Sequence, residues 1–139
     1  ALDGPRCFRL AIQSPTFKKD GYCEIPAWKG KAFRLHENTW NTKKSLPERR
    51  NLIYNFDQIK KTVLDPDTVR RSTSNPKSLL FYLRCDTIRI NRESTVPWSG
   101  YFVVVVRNES LVQTVYTTKK IKVGETIYER PKSHDADRS

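Results

Sequence analysis

The run Tyr101–Phe102–Val103–Val104–Val105–Val106 constrains this chain most. Four consecutive valines follow two aromatics, with Ser99–Gly100 before them and Asn108–Glu109–Ser110 after Arg107. Such a run is too short for a membrane span and too β-branched for a helix, so it reads as a strand buried on both faces. Leu111–Val112–Gln113–Thr114–Val115–Tyr116 follows at once and mixes apolar with polar positions. The pair predicts a hairpin whose first strand is central and whose second carries polar groups out of the core.

The rest of the chain is arranged to pack on that hairpin. Lys31–His36 alternates and predicts a short strand, as does 7–12; residues 16–30 read as a loop with breakers at Gly21, Pro26 and Gly30. Residues 37–45 suit one or two helical turns anchored by Trp40, and Pro47 suits the start of another. The clearest helix follows Asn55, an N-cap with Gln58 placed to complete a capping box. Phe56, Ile59, Val63 and Leu64 share a face, and Pro66 ends the helix. Asp67–Val69 reads as a tight turn or one short helical turn, and 70–77 as a polar, basic loop. Ser78–Cys85 and Thr87–Asn91 read as strand, 92–97 as a loop, and Ile127–Tyr128 as a last short apolar pair. Early helices before a run of locally paired strands predict an α+β fold, with N-terminal helices packed on a curved, mostly antiparallel sheet. The expected organisation is a single domain over 1–130, with its core in 33–128 and a disordered tail at 131–139.

Charge narrows the function. The 139 residues carry a formal net charge of +11, which attracts polyanions. Basic residues are spread through strand-like segments and not gathered on one amphipathic helix, which favours nucleic acid over an anionic membrane. Without a long apolar stretch, no membrane partner is expected. Three cysteines, Cys7, Cys23 and Cys85, show no metal-ligand spacing and read as reduced thiols of a cytoplasmic protein. His36 and His134 stand far apart, and five glycines form no phosphate-cradling loop, so no metal and no cofactor is expected. What remains suits RNA cleavage in which the ribose 2′-hydroxyl is the nucleophile and the protein supplies a base, a cation and a proton donor.

Three passages taken in order resemble a known family. They are Ile59–Lys60–Lys61–Thr62–Val63–Leu64–Asp65–Pro66–Asp67–Thr68–Val69, the valine strand 101–106, and Gln113–Thr114–Val115–Tyr116 with the lysines beyond it. Their order resembles the phage-associated branch of the barnase/EndoU/colicin/RelE-like nuclease superfamily. That resemblance covers 33–128 and implies a metal-independent endoribonuclease, toxin-like in setting, with RNA as substrate. It implies site roles for Thr114 and Tyr116 through their Thr-x-Tyr spacing. Relatives place His-Pro-Glu before the main helix, where this chain has Leu46–Pro47–Glu48. The duty of that histidine then falls to Arg49 or Arg50, to His36, or to no residue, with Glu48 a further candidate base.

Around these, Arg70–Arg71–Ser72 offers guanidinium forks and a hydroxyl to a phosphate, and Lys119, Lys120 and Lys122 offer attraction to the backbone. Tyr82 is a candidate platform for a base. Two other functions fit the same residues: a non-catalytic nucleic-acid-binding module, and an interaction protein whose basic face meets an acidic partner such as an inhibitor.

Overall fold

The computed structural model describes residues 12–44 and 47–131, the side chains of 43–50 excepted. Seven strands form one curled sheet in the order β1-β2-β6-β5-β4-β3-β7. They are β1 Tyr22–Pro26, β2 Ala32–His36, β3 Thr68–Arg71, β4 Ser78–Arg89, β5 Thr95–Arg107, β6 Leu111–Thr118 and β7 Thr126–Glu129. Helix α1 (Glu37–Lys44), a 3₁₀ segment (Pro47–Tyr54) and α2 (Phe56–Leu64) fall between β2 and β3. The expected α+β class and mostly antiparallel, curled sheet are therefore present. The helices are not N-terminal to the sheet, however: a complete hairpin precedes them, and β2 pairs with β6 in parallel.

The valine run lies in β5, the middle strand of seven, and Val103, Val104, Val105 and Val106 are all buried. Alternation sends them to two separate clusters. Phe102, Val104 and Val106 join Phe33, Leu35, Phe81, Val112 and Val115 under the helices, which contribute Trp40, Leu52, Phe56, Ile59 and Val63. Val103 and Val105 join Leu80 and Tyr82 on the opposite face, with Tyr101, Tyr116 and Ile121 around them. Asn108 and Glu109, both at positive φ, turn β5 into β6, and the Ser110 N–H returns to the Arg107 carbonyl. That geometry is the mirror-image turn whose twist suits a tight hairpin.

Two strands arise where sequence reading expects irregular chain. In β1, Cys23 and Ile25 point into the core while Tyr22 and Glu24 face out, and the strand pairs with β2 from Tyr22↔His36 to Pro26↔Ala32. Pro26 is tolerated because β1 is an edge. Residues 68–71 form β3 because they are paired on both sides, by β4 and by β7. β5 also begins earlier than expected, at Thr95, within the segment read as a loop. Asn55 precedes α2 as expected but makes no side-chain cap. Its amide donates to the Asn51 and Arg89 carbonyls and accepts the Arg89 N–H, tying the helix start to the end of β4.

Asp67 closes the far edge. Its N–H donates to the Tyr82 carbonyl and its carbonyl accepts the Arg130 N–H. Its carboxylate accepts the Arg84 N–H at 2.6 Å and Arg130 Nε at 2.9 Å. One residue thereby joins the start of β3 to β4 and to the end of β7. Cys23 and Cys85 are free thiols, while Cys7, the segment 7–11 of the first expected strand, and the tail beyond 131 lie outside the described residues. No helix among the described residues is long and apolar enough to cross a membrane.

Candidate functional site: a polar cleft on the face opposite the helices

Strand register sets the site. Across β3, β4, β5 and β6 one row reads Arg70, Leu80, Val105, Thr114, and the next reads Thr68, Tyr82, Val103, Tyr116. Both rows face away from the helices. A bulge between Val105 and Val106 inserts Gln113 between Val112 and Thr114, and so turns Thr114 and Tyr116 to the face that carries Val103 and Val105.

After β6 the chain does not leave the sheet. Residues 119–125 cross this face on the way to β7, and Ile121 packs on the Leu80–Tyr82–Val103–Val105 cluster. The Lys122 N–H donates to the Tyr82 hydroxyl at 3.1 Å. Further along, the Arg71 N–H donates to the Glu125 carbonyl, and Gly124 lies so close to the Arg71 carbonyl that a Cβ there would collide with it. The crossover roofs the middle of the face and leaves a cleft at one side.

That cleft has a volume of about 310 Å³. Its floor is Leu80, Val105, Thr114 and Tyr116; its walls are Ser78, Gln113 and the loop residues Ser72, Ser74 and Asn75; Lys122 supplies a cation. Lys122 Nζ stands 5.8 Å from the centre of the Tyr116 ring. Ser78 is buried and its hydroxyl donates to Gln113 Oε1 at 2.9 Å, which leaves the Gln113 NH₂ as the group to donate outward. The Ser72 hydroxyl accepts the Asn75 N–H and shares a hydrogen bond with Ser74, which shapes the loop. A second, smaller cavity of about 60 Å³ adjoins it, sharing Ser72, Ser74, Leu80 and Lys122 and adding Arg70 and Arg71.

The structure thus brings Thr114, Tyr116 and Ser72 to one cleft, with Arg70 and Arg71 beside it, but the Tyr116 hydroxyl oxygen is buried. The two arginines are strand residues and not the loop forks expected. Arg70 pairs with Glu129 at 3.4 Å and donates to Thr68, while Arg71 pairs with Glu125 at 2.9 Å and donates to the Pro76 carbonyl. Carboxylates beside β3 therefore offset part of their charge. Lys119 and Lys120 do not line the cleft: Lys119 Nζ lies over the Trp98 ring, and the Lys120 backbone N–H donates to the Thr118 hydroxyl. His36 is absent from the lining too; its ring packs edge-on to Tyr22 at 4.8 Å and its Nδ1 accepts the Asn38 N–H. The Glu48, Arg49 and Arg50 side chains lie outside the described residues.

Tyr82 is fully buried, so it offers no platform to a base. Burial raises its phenol pKa, against the opposing pull of the Lys122 N–H and of Arg70. Burial likewise raises the Cys85 thiol, with Asp86 adding to the effect. Among the described residues no group of three or more His, Cys, Asp or Glu is placed to hold a metal ion. Ser78, Gln113, Ser74 and Asn75 were invisible as site residues, because only the bulge and the loop after β3 bring them to the Thr-x-Tyr strand. No protein-family model, no curated protein and no solved structure matches this chain.

Proposed function

We propose that this protein is a metal-independent endoribonuclease that holds RNA on the sheet face opposite its helices. The observation that carries this reading is the convergence of Thr114 and Tyr116 with Lys122 and Ser72 in one cleft, beside Arg70 and Arg71, on a chain of net charge +11. The ribose 2′-oxygen attacks the adjacent phosphorus, the bond to the 5′-oxygen breaks, and a 2′,3′-cyclic phosphate and a 5′-hydroxyl result. Lys122 and the Thr114 and Ser72 hydroxyls bear the charge that builds on the phosphoryl oxygens, and a group of this kind counts most where it is fixed in advance. The step also needs a group to take the proton from the 2′-oxygen and one to protonate the departing 5′-oxygen; of the expected candidates, His36 stands outside the cleft lining and the Glu48 side chain lies outside the described residues. The resemblance of the Pro-Asp-x-Val turn, the valine strand and the Thr-x-Tyr strand to the phage-associated nuclease branch supports the same reading.

A second reading, an RNA-binding module without cleavage, draws on one specific observation: no described residue of the cleft lining is a histidine or a carboxylate. One assay separates the two. The protein is incubated with total RNA in EDTA, and product ends are identified. Cyclic phosphate ends that disappear with Thr114→Ala or Tyr116→Phe support the nuclease. Retention of RNA with no cleavage anywhere between about pH 5 and 9 assigns the binding module. Tight binding to an acidic protein at high salt, with no RNA retained, defeats both.

A further inference from the structure

We propose that Tyr82 is a positioning residue for the cleft: its buried hydroxyl takes the Lys122 N–H, pins the 119–125 crossover to the sheet, and so holds the Lys122 ammonium beside Thr114 and Tyr116. This rests on the cleft being a phosphate site for RNA.

The argument begins with what the crossover lacks. Residues 119–125 belong to no strand, so their backbone N–H groups gain no ladder partner and must find one elsewhere or stay in water. Lys122 finds one in a side chain projecting from the middle of β4. Tyr82 is fully buried among apolar neighbours, between Leu80 on its own strand and Val103 on the next, and makes an edge-on contact with the Tyr101 ring at 6.0 Å. Phenylalanine would fill that apolar space equally well. A phenol oxygen placed there has to be paired, because a buried hydroxyl without a partner is costly. The pairing it makes is with the one backbone group that fixes where the Lys122 side chain leaves the roof.

Other hydrogen bonds of the crossover lie at its ends, the Lys120 N–H on the Thr118 hydroxyl and the Arg71 N–H on the Glu125 carbonyl. Ile121 anchors by apolar contact, which fixes depth but not rotation, and the Arg71–Glu125 hydrogen bond lies toward β7. The Tyr82 bond is directional and sits at Lys122 itself. A lysine ammonium on a flexible stem loses much rotamer freedom when it holds a phosphate, and an ordered backbone beneath it lowers that cost.

The test is a double-mutant cycle with Tyr82→Phe and Lys122→Met, read by fluorescence anisotropy of a labelled single-stranded RNA across a salt series. Amide hydrogen exchange at Lys122 is followed in parallel. Lys122→Met is expected to lower the slope of log affinity against log salt by about 0.7, one phosphate contact on a single strand. Tyr82→Phe is expected to weaken binding about 3- to 10-fold, to speed exchange of the Lys122 amide, and to add nothing in the Lys122→Met background. Losses that simply add in the double variant, or a Lys122 amide as protected in Tyr82→Phe as in the parent, overturn the positioning role. A Lys122→Met variant with unchanged affinity and slope overturns the phosphate reading of the cleft, and the proposal with it, even where the amide data show the tie.

Discussion

The two faces of the central sheet share their strands and differ in what covers them. Beneath the helices, Phe81 meets Trp28 and Phe33 edge-on at 5.4 and 5.3 Å, Trp40 meets Phe56 at 5.4 Å, and the buried polar side chains Asn55 and Thr62 donate to backbone carbonyls. On the opposite face four buried side chains are roofed by a single length of irregular chain, and the polar rows of β3 and β6 begin at once beside them. A closed face of this kind stores stability. A partly roofed one gives up some of that stability and keeps polar groups within reach of a ligand. Within β5, strand alternation allots residues to the two faces, so one chain segment serves both.

That contrast can be broken most directly with matched truncations. Phe81→Ala should cost about 3–5 kcal/mol in urea unfolding, and Val105→Ala, on the cleft side, about 2 kcal/mol. Equal losses would mean that the second cluster is as much a core as the first. The edge closure is the next test. Asp67→Ala removes acceptors from the Arg84 N–H and from Arg130, and with its side chain about a third exposed the loss should be about 1–2 kcal/mol. Unchanged unfolding would show that β7 and the roof need no such anchor.

A smaller effect sharpens the comparison by pH. Tyr82→Phe should cost about 1 kcal/mol at neutral pH. Its phenol titrates higher in the folded protein than in the unfolded chain, so the folded state keeps the proton longer. The stability tied to burying the neutral phenol is then complete below about pH 10 and is lost as pH rises through the folded value. The gap in urea midpoint between parent and variant should narrow as pH rises above about 10; a gap that stays constant would show that Tyr82 does not titrate above the unfolded chain. The least change is expected from Lys31→Ala, which removes a 3.1 Å ion pair with Glu109 that stands largely in water. It should shift stability by less than about 0.5 kcal/mol, and by nothing measurable in high salt.

Local pattern made the closed face legible. The valine run, the Trp40 anchor and Phe56, Ile59 and Val63 of α2 carry their structure in their own spacing and pack where it sends them, whereas Leu64, expected on the same helix face, is exposed and Thr62 is buried in its stead. The open face depends on distant partners. β3 consists of Thr68–Arg71, two of its four residues arginine, and becomes a strand only between two neighbours remote in sequence. β1 is hidden by its flanking Gly21 and Pro26. Lys122 was legible as a cation, but its station over Tyr116 follows from the return of the chain across the sheet, which no local signal records. Tyr82 illustrates the same limit: a tyrosine in an apolar strand suggests an aromatic surface, and its true surroundings are set by a crossover forty residues away.

The parallel join between β2 and β6 has a consequence of its own. It rests on one register pair, Arg34↔Leu111, because β2 passes directly into α1 after His36 and the ladder stops. The β1–β2 hairpin is therefore held by its inward side chains, Ile25, Phe33 and Leu35, far more than by backbone bonds to the rest of the sheet. Such a seam can part as a unit before the molecule unfolds, and deuterium uptake at β1 and β2 should outpace uptake at β4 and β5. A molecule caught in that state presents the bare rim of β6 to its neighbours, which makes exchange of this hairpin between two copies the natural route to a dimer at high concentration.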